Sequence, residues 1–276
     1  MKTAFGLFFF AFMNLSQQTI NYNLLGNDGP WIVFLHGFCE QQSLWDQVLP
    51  SLSGYRILTL DLPGFGASKG FAFESLHQIG EQVQQLFNTL AISNPLIIGH
   101  SMGGYLAANM IESGLIKPRA LAMVHSTFSA DSEEKKQNRL KTISFLETNP
   151  LEAFLKVFIT GLFSPANAAN SNIIAKAEQM VSNNQKEAVI AALKAMMNRT
   201  SSYDWLENTD MPILFIAGRE DSHVPLAITI KEASLCRRGS LVILDDCGHI
   251  GQFEQPLKVK NALENFILWV DALQLE

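Results

Sequence analysis

Several things are scarce in this chain, and each scarcity removes a class of explanation. There are only three cysteines, Cys39, Cys236 and Cys247. Their number is odd and their spacing suits no metal, so neither a disulfide framework nor a zinc site is expected. That fits a reducing compartment, and the cytoplasm is the expected location. No uninterrupted apolar run approaches the length needed to span a bilayer, and no stable membrane association is expected. Basic runs are also missing: 20 Lys and Arg stand against 26 Asp and Glu, a net charge of −6. Nucleic acid and anionic membranes are therefore disfavoured as partners. What remains is a small-molecule substrate. Repeats and low-complexity segments are absent too.

What is present is ordinary globular composition, 47% hydrophobic and 17% charged over 276 residues. The length allows one large domain or two small ones. Residues 1–18 read as an N-terminal extension. Lys2 and the phenylalanine-rich stretch from Ala4 to Met13 resemble a signal-peptide core but lack a good cleavage context. Met13 is the preferred natural start.

Thr19 to Leu25 alternates, with Ile20, Tyr22 and Leu24 on one face, and predicts an antiparallel edge strand. Trp31–Leu35, Tyr55–Leu60, Leu96–Ile98, Ala120–Val124, Pro212–Ala217 and Leu241–Leu244 are apolar runs of buried-strand length. Between them lie helical patterns: one capped by Ser43 and running through Leu52, one over Glu74–Leu90, one over Met102–Ser113, and a last one from Pro256 to Leu273. Strands alternating with helices imply a mostly parallel α/β sheet flanked by helices. From Thr127 to about Leu206 the strand signal stops and four helical patterns follow. This insertion reads as a helical cap, expected after the sixth strand. The domain reading is thus a core of residues 19–126 and 207–276 with a cap of 127–206.

The chemistry centres on Gly99-His100-Ser101-Met102-Gly103, a G-x-S-x-G between an apolar strand and a helix. A serine on so tight a turn presents its hydroxyl clear of the sheet, and its neighbours two residues away must lack side chains. A serine nucleophile needs a base, and the base an orienting carboxylate. Of six histidines, His249 follows the last strand in a loop at the sheet's C-terminal edge, where parallel sheets place ligands. His36 looks structural, His100 points elsewhere, His77 lies on a helix, and His125 and His223 have no surrounding motif. Asp221 follows strand 213–217, with Glu220 as its rival. The order Ser101, Asp221, His249 supplies nucleophile, acid and base. The backbone N–H groups of Phe38 and Met102 are the expected oxyanion donors. In the cap, Phe154, Phe158, Leu162 and Met197 are candidate substrate contacts. Arg139, Lys141 and Arg199 are candidates for an acidic substrate, with solvated surface the plainer expectation.

These pieces, with His36-Gly37-Phe38, the Asp61-to-Ser68 turn, the Val224-Pro225 context of Asp221 and Gly248-His249, resemble the α/β-hydrolase superfamily. The likeness is to its cap-bearing esterases and lactonases, and it covers the chain from about Thr19 onward. The resemblance implies a serine esterase using no metal and no organic cofactor. Thioester, lactone and N-terminal-proline amide cleavage remain open, as does a ligand-binding or signalling member with vestigial hydrolysis. Oligomeric state is not legible.

Overall fold

Six apolar runs and one alternating edge segment pair into one sheet, and the strands buried along their whole length lie in its middle. A computed structural model of the chain describes residues 19–273. Its strands are β1 (Tyr22–Leu25), β2 (Trp31–Leu35), β3 (Arg56–Leu60), β4 (Leu96–His100), β5 (Ala120–Val124), β6 (Ile213–Gly218) and β7 (Gly239–Leu244). They lie in the order β1-β3-β2-β4-β5-β6-β7. Only β1 is antiparallel to its neighbour; every other pairing is parallel. Every residue of β2, β4, β5 and β6 is buried, as expected when helices cover both faces of a parallel sheet. The edge strand keeps only part of its predicted face. Ile20 is buried, but Leu24 is 46% exposed at the far end of β1, where the strand has one neighbour and little cover.

The helices are α1 (Leu76–Thr89), α2 (Met102–Glu112), α3 (Glu133–Thr148), α4 (Leu151–Thr160), α5 (Ser171–Val181), α6 (Lys186–Met197), α7 (Tyr203–Asn208), α8 (Leu226–Leu235), α9 (Gly251–Glu254) and α10 (Pro256–Leu273). Helix α2 packs on β4 and its neighbours β2 and β5, while α8 packs on β6 and β7. Helices α3 to α6 form the cap insertion, with α3 against α6 and α4 against α5. The insertion follows the fifth strand of the described residues, β5, and not the sixth.

One of the helical expectations is corrected. The helix capped by Ser43 is a short 3₁₀ turn over Gln42–Trp45 with Gln41 before it. Pro50 prevents its extension, and burial of Leu44 and Trp45 holds what remains. Helix α3 runs on to Thr148 from its Ser132 cap. Helix α8 has no apolar stripe to read: the residues it buries are Thr229 and Glu232, while Ile230 is exposed. Glu232 accepts hydrogen bonds from Thr127, Phe128 N–H and Ser129 where the chain enters the cap. The proposed start at Met13 lies outside the described residues. Among the described residues, no helix is long and apolar enough to cross a membrane.

Candidate active site

Five strands that are neighbours in the sheet, β2, β4, β5, β6 and β7, each end in a loop that contributes to one constellation. Ser101 follows β4 and takes φ 47°, ψ −114°, a region that costs a non-glycine residue roughly 1–3 kcal/mol. Several contacts hold it there. Its N–H donates to Val124 O at 3.0 Å, and its carbonyl accepts from Gly104 and Tyr105 N–H and from Ser126 Oγ. A Cβ on Gly99 would lie 2.6 Å from Gly104 N, and one on Gly103 would lie 2.2 Å from Leu35 O. Both glycines are therefore obligatory for the close approach of strand, turn and helix.

His249 follows β7. Its Nε2 lies 2.9 Å from Ser101 Oγ and its Nδ1 lies 2.8 Å from Asp221 Oδ2. Those partners assign the tautomer: Nδ1–H donates to the carboxylate, and Nε2 accepts from the serine hydroxyl. The loop is clamped at both main-chain atoms. His249 N–H donates to Leu162 O at 2.7 Å, and His249 O accepts from His100 Nε2 at 2.8 Å. Asp221, after β6, is saturated: Oδ1 accepts from His223 and Val224 N–H, and Oδ2 from His249 and, at 3.3 Å, His125. Burial alone would raise its pKa. The electrostatic pull of the adjoining His249 imidazole and the hydrogen bonds from His125 and His249 more than offset this, leaving the carboxyl well below the usual carboxylate range. Glu220 and Asp245 are exposed, and Asp245 pairs with Arg219.

Three further groups carry no sequence motif, yet the fold brings them here. His125, after β5, is fully buried with φ 47°. It donates through Nδ1 to Asp221 and accepts Gly251 N–H at Nε2, 3.2 Å. Burial lowers its pKa and so keeps it neutral. His223 stacks on His249, with ring centroids 4.7 Å apart at 27°. Its pKa is lowered to about 3, by burial first and then by His249. Glu40, in the loop after β2, accepts from Gly37 N–H at 2.5 Å and pairs with His100 Nδ1 at 2.8 Å. Burial opposes the Glu40 charge, but His100 pulls its pKa down; Glu40 in turn raises that of His100 against burial. His36 does shape its loop, since its Nε2 accepts Leu62 N–H. Only chain distance hid these residues: Glu40 and His100 are 60 positions apart.

Among the described residues, neither the Phe38 nor the Met102 N–H donates to any group. A cavity of about 560 Å³ opens onto Ser101 and His249, and Phe38, Phe154, Phe158 and His223 form part of its wall. Leu162 and Met197 do not reach that wall. Leu162 is buried and serves the His249 loop through its carbonyl. Met196, a third of a turn from Met197 on α6, lines the cavity instead. His125, Asp221 and His249 place three ligand atoms within 4.8 Å of one another. A cation there would take the Nδ1 position that His249 uses toward Asp221.

Ser101, His249 and Asp221 thus have the arrangement of a serine-hydrolase triad, and the comparison with known proteins agrees. The family model described as the alpha/beta hydrolase fold matches residues 30–256. The chain belongs to the α/β-hydrolase fold family. This α/β-hydrolase is 27% identical to a pimeloyl-[acyl-carrier protein] methyl ester esterase of Nitrosomonas europaea, over 93% of this chain and 100% of that protein. It is 26% identical to a 2-hydroxy-6-oxononadienedioate/2-hydroxy-6-oxononatrienedioate hydrolase of a Pseudomonas species, over 90% of this chain and 92% of the relative. Among solved structures, a thermophilic esterase from Thermogutta terrifontis superposes with a TM-score of 0.84 at 25% identity. That match covers 91% of this chain and 93% of the other.

Proposed function

We propose that this α/β-hydrolase cleaves a carboxylic ester of a small substrate, or a closely related thioester or lactone, through an acyl-enzyme. The observation that carries the reading is the unbroken line Ser101 Oγ–His249 Nε2 at 2.9 Å and His249 Nδ1–Asp221 Oδ2 at 2.8 Å, at the wall of a cavity large enough for a small ester. Ser101 Oγ attacks the carbonyl carbon as His249 takes its proton. Asp221 keeps the imidazole oriented and stabilises the imidazolium. The tetrahedral oxygen is held by the N–H groups of Phe38 and Met102, whose lack of other acceptors supports that role. One such donor is typically worth about 3–4 kcal/mol in the transition state. His249 then gives its proton to the leaving alcohol. It next takes one from water, which attacks the acyl-enzyme and releases the acid.

Phe154 and Phe158 form the apolar part of the substrate wall, and residues 127–206 are the unit that selects the substrate, set on a core of 19–126 and 207–276. The relatives' names, an esterase and a hydrolase, support this class of chemistry. The three free cysteines suit a cytoplasmic protein.

The test is a fluorophosphonate probe combined with short p-nitrophenyl esters. Wild type should form a 1:1 adduct on Ser101 and turn the esters over, and Ser101→Ala should do neither while keeping its melting temperature. A wild-type protein that is neither labelled nor active would instead indicate a binding member of the family.

A further inference from the structure

Part of the cavity wall is cationic. Lys135 and Arg139 on α3 and Arg199, two residues past α6, line the same space as Ser101 and His249. Beneath them lies a single carboxylate. Asp131, with a fully buried side chain, accepts Arg139 Nε at 2.5 Å and Arg199 Nη1 at 2.8 Å, and has Lys135 Nζ at 3.8 Å. The other acids on the wall do not balance the set. Glu134 is exposed, and Glu40 is committed to His100. A chain with net charge −6 has therefore gathered excess positive charge at its cavity.

The guanidiniums are also only partly satisfied. Their side chains are 13% and 6% exposed, yet Arg139 Nη1 and Arg199 Nη2 donate to no group among the described residues. Neither nitrogen is among the fully buried unpartnered atoms, so both stay open to the cavity and free to meet a ligand there. Donors of this kind beside a cavity suit a ligand oxygen, and the planar guanidinium fork matches a carboxylate.

Position sets the reach. Arg199 lies over the Tyr105 ring, 3.9 Å from its centroid. Tyr105 is four residues beyond Ser101 on α2, roughly 6 Å along a helix rising about 1.5 Å per residue. The cations thus stand several bonds from the reacting carbonyl.

We propose that the substrate is an acidic ester, its scissile carbonyl at Ser101 and a carboxylate, a short apolar spacer away, bound by Arg139 and Arg199 with Lys135 alongside. This rests on Ser101 being the nucleophile. The cavity then reads as amphipathic: aromatic rings for the spacer and guanidiniums for its charged end.

The experiment compares two esters of matched chain, monomethyl glutarate and methyl pentanoate, at low ionic strength. The half-ester is expected to have at least a tenfold higher kcat/KM, carried by KM, and the preference should shrink as salt screens the charges. Arg139→Gln should bring the ratio to within about twofold of one, and Arg139→Lys should retain part of it. Equal treatment of the two esters by wild type overturns the proposal. So does an Arg139→Gln protein that slows both in the same proportion, since that is the behaviour of a staple between cap elements. A second measurement needs no turnover: calorimetric binding of glutarate to Ser101→Ala, with and without Arg139→Gln. Binding weakened tenfold or more by the second change supports the subsite, and no binding, or equal binding, overturns it. Loss of hydrolysis of both esters by wild type would count against the nucleophile assignment, while the calorimetry would still decide the subsite.

Discussion

The carboxyl edge of the sheet and the helical cap contribute to one cavity by different means. At the edge, main-chain geometry does the positioning. Ser101 is held by Val124 O and by three donors to its own carbonyl, and the His249 loop by Leu162 O and the His100 ring. In the cap, side chains position one another. Phe154 stacks on Phe158 with centroids 5.6 Å apart, and Asp131 gathers Arg139 and Arg199. A site fixed by backbone hydrogen bonds has little freedom to drift, whereas one fixed by side-chain packing can be re-cut by single substitutions. The edge should therefore govern kcat for every substrate, and the cap should govern which substrate binds.

The largest effect that would break this division is expected at Ser101. Ser101→Ala should lower kcat by about 10⁴- to 10⁶-fold for every ester that wild type accepts, with the melting temperature nearly unchanged. A residue-independent loss measured across a panel of acyl chains supports the edge as a common engine. A loss confined to some chains would merge the two regions.

Next in size is the buried Glu40–His100 pair, which ties the loop after β2 to the carbonyl of His249. Removing one member of such a pair typically costs about 3–5 kcal/mol, and Glu40→Gln should sit near the lower end because His100 can shed its proton. The pH dependence has a definite sign. His100 has a folded pKa above its ordinary 6.5, so its contribution is fully present below that value and is lost as pH rises through the folded pKa. Glu40 has a lowered pKa, so its contribution is present above 4.5 and is lost as pH falls through the folded one. The stability gap between wild type and Glu40→Gln, read by thermal melts, should be widest near pH 5–6 and narrow toward pH 9. A gap that is flat, or that widens with pH, would show that the pair is not ionised.

The sheet was legible from residue pattern because six of its strands contain apolar runs of strand length, each followed by a glycine, histidine or aspartate turn. The Gly99–Gly103 spacing was legible because close backbone approach leaves no room for a Cβ. The chain order Ser101, Asp221, His249 could be read from loops after strands. His125, His223 and Glu40 could not, since each is a lone residue whose partners are brought by sheet neighbours far along the chain. Helix α8 escaped because its inward face carries Thr229 and Glu232, so no hydrophobic period marks it. In the cap, periodicity found helices but not their rotation. Met196 faces the cavity where Met197 was expected, and the Leu162 contribution is a carbonyl that no side-chain pattern announces.

His125 sharpens the comparison from the edge side at smaller magnitude. It touches Asp221 and not the serine, so it acts as a positioning residue. His125→Leu should lower kcat about tenfold with KM little changed, roughly 1.4 kcal/mol by the usual conversion. Loss of a hydrogen bond to the charged carboxylate should also raise the Asp221 pKa. The acid limb of the kcat profile should then move to higher pH, and His125→Asn should partly restore it. A purely structural role would lower kcat without moving the limb.

The smallest effect belongs to the cap. Phe158 is half-buried, stacked on Phe154 and edge-on to Phe38 at 5.5 Å and 84°. Aromatic contacts of this kind are worth about 0.5–1.5 kcal/mol beyond area burial. Phe158→Ala should raise KM for an ester with an apolar chain by about five- to tenfold, which is about 1–1.4 kcal/mol, and leave kcat within roughly twofold. For the shortest acetyl esters, which leave the ring largely uncontacted, the KM change should be smaller still. That dependence on chain length, absent at Ser101, is what would separate a residue that chooses substrates from one that transforms them. If Phe158→Ala instead cut kcat equally for long and short chains, its ring would be supporting the Phe38 loop and the oxyanion donor proposed there, and the boundary between cap and sheet edge would have to be redrawn through Phe38.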